Sequence, residues 1–208
     1  MATSPITSAQ VPLLGTAVPL QLTGPPPAGQ MVAMAAAAGA AQKAHSLPQF
    51  MQTQEQTNWC WAAVGTSVGL LFGTGPWTQC ETATACLDLP GLDCCVTPDT
   101  CNVYGFLDLA LSHTRSLAAL VSGTETATVI ESELDSSRPV CARIAWDSGG
   151  AHFLAISGYS DAQGDGTQVI IELEDPFFGT ASMPLAEFPA NYHGGGAWTD
   201  SYLTRAQP

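Results

Sequence analysis

Four residues have the types, order and settings to do chemistry together: Gln54, Cys60, His152 and Asp175. Gln54 stands six residues before Cys60, and an apolar, helix-like run opens at that cysteine (Cys60-Trp61-Ala62-Ala63). His152 follows Gly149-Gly150-Ala151 at the head of a second apolar run, and Asp175 closes a third, just before Pro176. Cysteine, histidine and acid are the parts of a thiol hydrolase. A free cysteine, with a pKa of about 8.5, is only slightly ionised at neutral pH. A helix N-terminus or a neighbouring imidazolium lowers that value to roughly 3.5–7.5. In this scheme Cys60 attacks a carbonyl, while His152 pairs with the thiol and protonates the leaving group. Asp175 holds the imidazole by its other nitrogen. The Gln54 carboxamide and the Cys60 backbone N–H would bind the developing oxyanion.

Each residue alone has a plainer explanation. Cys60, between two tryptophans, reads as a buried structural thiol, His152 as a core histidine, and Asp175-Pro176 as a strand-ending turn. Glu174 competes with Asp175, although period-2 alternation turns only one of the two toward a neighbouring histidine strand. Gln49, Gln52 and Gln56 compete with Gln54. Trp61 and Trp146 either wall a cleft or pack in the core. His45, His113 and His193 show no metal-ligand spacing, so neither a metal nor another cofactor is expected.

The elements that must position these residues change in texture along the chain. Residues 1–45 read as a Pro- and Ala-rich extension, with a short helix over Met31–Lys43, that is either idle or a pro-segment or leader. Residues 46–208 form the folded domain. Asn58 is the expected N-cap of a helix over Cys60–Phe72, closed by Gly73. Further helices are expected from Thr78, over Val103–Ser112, and over Thr126–Ser136 with Glu131 and Glu133 exposed. After Arg138-Pro139 come strand patterns at Val140–Trp146, His152–Tyr159 and Gln168–Leu173. Ala181–Met183 and Ala197–Leu203 read as edge strands, with Phe188 and Tyr192 packed between them. Helices first and antiparallel strands second make an α+β fold.

Composition narrows the function classes. Five basic residues face eighteen acidic ones, for a net charge of −13, with no basic cluster. Nucleic acid and anionic membranes are therefore not expected partners. No apolar run approaches the roughly 18 residues that span a bilayer. Seven cysteines are present, five of them between positions 80 and 101. If Cys60 stays free, six remain, an even set that suggests disulfides and a secreted setting. The absence of a basic N-terminal region argues against a signal peptide. Cys94 and Cys95 are neighbours and need different partners. A zinc site and reduced, buried thiols are the competing readings.

These residues resemble the papain-like cysteine peptidases. The Gln54-x5-Cys60-Trp61 spacing is similar to that superfamily's oxyanion glutamine and nucleophile. His152-Phe-Leu-Ala-Ile-Ser-Gly-Tyr and Asp175-Pro-Phe-Phe-Gly179 look closer to the bacterial peptidases that process double-glycine leaders of bacteriocins, and to secreted or effector papain-like peptidases. The resemblance covers roughly residues 47–203. It implies a helical lobe, a lobe of antiparallel strands, and a cleft between them. It also implies a monomeric enzyme that hydrolyses protein or peptide substrates through a Cys60 thioester and could process its own residues 1–45. The plant and lysosomal enzymes carry Cys-Gly-Ser where this chain has Thr57-Asn58-Trp59, and asparagine where it has Asp175. Two other outcomes keep the scaffold: acyl transfer, deamidation or cross-linking through the same thioester, or a binding protein without activity.

Overall fold

Strand alternation sorts the apolar residues of this chain onto two cores, one on each face of a single sheet. The computed structural model describes residues 42–164 and 166–207. Apart from its last few residues, the expected extension with its short helix lies outside the described residues. Among those described, seven strands form one antiparallel sheet: β1 (Lys43–Ser46), β2 (Leu117–Ser122), β3 (Val140–Trp146), β4 (Ala151–Asp161), β5 (Val169–Asp175), β6 (Gly179–Pro184) and β7 (Gly196–Thr204). Their order is β2-β7-β3-β4-β5-β6, and β1 pairs with the far half of β4. Four helices precede or interrupt them: α1 (Cys60–Leu71), α2 (Gln79–Leu87), α3 (Leu107–His113) and α4 (Ala127–Asp135). The α+β expectation therefore holds.

Residues at odd positions of β3 and β4 (Cys141, Phe153, Ala155) join the core under α1, α2 and α3. Even positions (Val140, Ala142, Ile144, Leu154, Ile156) join the second core, with Ile130 and Leu134 of α4. A period of two in the strands is enough to produce this division. The side-chain oxygens of Thr78 and Thr126 accept from Glu81 N–H and Val129 N–H, capping α2 and α4 as N-cap threonines do.

Several expectations need correction. The ordered sheet begins at Lys43, inside the expected extension, and Lys43 Nζ meets Glu131 of α4 at 3.2 Å. Glu131 is buried by that contact rather than exposed. Strand β2 was not foreseen, and it makes β7 an interior strand between β2 and β3 rather than an edge. Helix α3 starts at Leu107, not Val103, because the chain before it has another task. The carbonyls of Cys101 and Val103 accept the indole N–H groups of Trp59 and Trp61.

The cysteines divide differently from the even-set reading. Cys80 pairs with Cys95 and Cys94 with Cys101, so the two neighbouring cysteines do take different partners. That use of four cysteines as disulfides displaces the zinc reading. Cys86 and Cys141 nevertheless stay free alongside Cys60, Cys141 lying fully buried in β3. Parity therefore does not single out Cys60.

Candidate active site

Helix α1 begins at Cys60 without the cap expected from Asn58. Trp59 occupies the cap position and makes no side-chain capping bond. Asn58 instead exchanges bonds with Asn102. Its backbone N–H donates to Asn102 Oδ1 at 2.8 Å, and its Nδ2 donates to Asn102 O at 2.9 Å. Trp59 Nε1 donates to Cys101 O at 2.7 Å. The start of α1 is thus strapped to the loop closed by the Cys94–Cys101 disulfide. First-turn N–H groups of a helix lack intrahelical partners, and no acidic side chain occupies the first turn of α1. The positive end of the helix remains available to an anion at Cys60.

His152 enters from the β3–β4 turn, where Gly149 and Gly150 have φ of 93° and 84°. An L side chain rarely adopts that backbone conformation, so the Gly-Gly pair lets the turn deliver His152 to the strand head. Asp175 ends β5. Its Oδ1 accepts from the N–H groups of Phe177 and Phe178 at 2.7 and 2.8 Å, and its Oδ2 meets His152 Nε2 at 2.8 Å. With Nε2 engaged there, Nδ1 is the ring nitrogen left for Cys60, which lines the same cleft as His152. Burial disfavours the imidazolium, but the Asp175 and Cys60 contacts outweigh it and raise His152 to about 9. Asp175 is likewise opposed by burial, yet His152 and the two backbone N–H groups hold it below the ordinary carboxylate value.

Glu174 faces the other way. Its Oε2 accepts from the N–H groups of Phe50 and Met51 at 3.0 and 2.7 Å, and Gln54 N–H donates to Pro176 O at 2.9 Å. The end of β5 therefore moors the segment that carries Gln54. Glu174→Ala should destabilise the fold by about 1–2 kcal/mol, since two part-buried donors lose a charged acceptor. Urea denaturation would measure it, and an unchanged midpoint would contradict this mooring role.

Of Gln49, Gln52, Gln54 and Gln56, Gln54 is the one that lines the cleft. Its Nε2 donates to Gln56 O and Thr57 O at 2.8 and 2.9 Å, while its Oε1 is buried without a partner. Both carboxamide hydrogens are engaged, so binding an oxyanion requires one of them to change acceptor. Trp146 stacks on His152 with ring centroids 5.8 Å apart, and Phe178 meets the same ring edge-on at 5.9 Å. Trp146 walls the cleft, as one reading of it expected, whereas Trp61 is fully buried core. Tyr104, Phe177 and Phe178 also line the cleft, and the sequence offered no spacing that marks them. The cleft has a volume of about 190 Å³. Next to it, sharing Tyr104, Gly150 and Ala151, lies a chamber of about 650 Å³ with Phe106, Leu120 and Tyr202 among its walls. Arg143 and Asp200, 3.7 Å apart, line that chamber. His45 lies on β1, His113 ends α3, and His193 stacks on Phe178. Among the described residues, no group of three or more His, Cys, Asp or Glu could hold a metal ion.

A cysteine at a helix start, facing an imidazole that an aspartate holds across an antiparallel sheet, is the arrangement of a papain-like thiol enzyme. The family model of the papain-like cysteine protease AvrRpt2 matches residues 41–193, and the chain belongs to that family of cysteine peptidases. No curated protein matches the chain significantly. The match begins at residue 41, in agreement with a domain that includes β1.

Proposed function

We propose that the chain hydrolyses peptide bonds of protein or peptide substrates through a Cys60 thioester, with His152, Asp175 and Gln54 in supporting roles. The observation that carries this reading is the Asp175–His152 bond at 2.8 Å, on a cleft that His152 lines together with Cys60 at the start of α1. Cys60 Sγ adds to the scissile carbonyl carbon, and the oxyanion is met by first-turn N–H groups and by Gln54 once its carboxamide turns. His152 passes its proton to the leaving amine as the C–N bond breaks. Water then attacks the thioester and gives its proton to His152, and Cys60 is released. The neighbouring chamber takes a substrate side chain beside the scissile bond. The chain also cuts its own N-terminal segment ahead of β1, leaving the sheet intact.

Intact-mass analysis of an unfolded protein substrate tests the reaction type. Hydrolysis predicts fragments whose summed mass exceeds the substrate by one water per cut, and the same products in the presence of added amines. Amine-containing products in place of acids would overturn hydrolysis in favour of acyl transfer.

A further inference from the structure

Tyr192 lies on the loop between β6 and β7, and its hydroxyl donates to Asp175 Oδ2 at 3.0 Å. The same oxygen meets His152 Nε2 at 2.8 Å. We propose that Tyr192 is a positioning residue for the reaction, fixing Asp175 and, through it, the orientation and charge of the His152 ring. This rests on the peptidase reading given above.

An ionised carboxylate offers about four acceptor positions. Asp175 fills them with Phe177 N–H, Phe178 N–H, His152 and the Tyr192 hydroxyl. Without the fourth donor, Oδ1 keeps its two backbone N–H groups but Oδ2 is held by His152 alone. The tyrosine ring is already held by packing: it stacks on Trp146 at 6.4 Å and meets Phe188 at 5.9 Å and His193 at 4.3 Å. A phenylalanine would serve that packing equally well. The hydroxyl, brought into a buried site, therefore has Asp175 as its purpose. The titratable groups around this cluster are His152 on β4, Cys60 on α1, His193 beside the ring, and Asp147, which packs on Gly195 of the same loop. Of these, only His152 shares Asp175 with Tyr192.

The sign of the effect follows from the donor count. Removing one donor leaves more negative charge on Oδ2, which favours the imidazolium, so the His152 titration moves to higher pH. In Tyr192→Phe, kcat/KM should fall about tenfold with KM unchanged, as expected for a lost bond to a charged group. The His152 NMR titration, followed in a Cys60→Ala background, should move upward. In an Asp175→Asn background, Tyr192→Phe should leave that titration where it was. An unchanged or lower midpoint in the first case, or a shift that persists in the second, would overturn the proposal. The titration needs no substrate, so an upward midpoint supports the coupling even if the chain cleaves nothing. Wild-type protein gives a check independent of Tyr192→Phe folding: a protected phenolic proton should be seen and should vanish in Asp175→Ala. Its absence from the wild type overturns the assignment.

Discussion

Cys60→Ala is expected to lower kcat/KM on an unfolded protein substrate by 10⁴-fold or more, on the order of the loss seen when an enzyme's sole nucleophile is removed. The fold should survive. Cys60 sits at the first position of α1 with 4% of its surface exposed, and alanine is both smaller and a better helix former. What remains after the substitution is binding and oxyanion stabilisation without attack. A purified, folded variant that cleaves within tenfold of wild type would remove Cys60 from the mechanism. Cys86 and Cys141 offer no substitute, since neither lines the cleft.

His152→Ala is the second large effect, with an expected loss of about 10³–10⁴-fold, at the upper end of general acid–base contributions. In the proposed mechanism the residue does two things: it stabilises the charged sulfur and supplies the proton for the leaving amine. Its raised value of about 9 sets the pH window. The imidazolium form is favoured by the folded site relative to an unfolded chain, whose histidines titrate near about 6.5. The associated stability is fully present below that unfolded value and is lost as pH rises through about 9. The alkaline limb of kcat/KM should fall in the same region and disappear in His152→Ala. A wild-type profile that already declines near neutrality would contradict the pairing of His152 with Asp175.

The parts of this site written in local pattern were legible in the sequence. Cys60 at the start of an apolar helix, the Gly149-Gly150 turn and the Asp175-Pro176 strand end all depend on neighbours in the chain, and each appears where its pattern points. Alternation also allowed only one of Glu174 and Asp175 to face His152; the structure places Asp175 there and leaves Glu174 to hold Phe50 and Met51. What escaped depends on distant contacts. Strand β2 is Leu-Ala-Ala-Leu-Val-Ser, with one β-branched residue, and becomes a strand by pairing with β7. The cap expected of Asn58 was lost to Asn102, forty-four residues away. Counting cysteines could not show that Cys141 packs as an apolar residue between helices and sheet. Tyr192 carried no motif; its link to Asp175 arises from the fold of the β6–β7 loop.

The most direct measurement is competitive alkylation of the three free thiols under non-reducing conditions, followed by peptide mapping. Burial and Asp108 push Cys86 up to about 11, and burial alone pushes Cys141 up further. Both should react slowly near neutral pH, because the thiolate is the nucleophile. Cys60, paired with His152 at the helix start and opening on the cleft, should take the label first and lose that advantage in His152→Ala. Label arriving first on Cys86, or a Cys60 rate indifferent to His152, would contradict the thiol–imidazole pair on which the proposed mechanism rests.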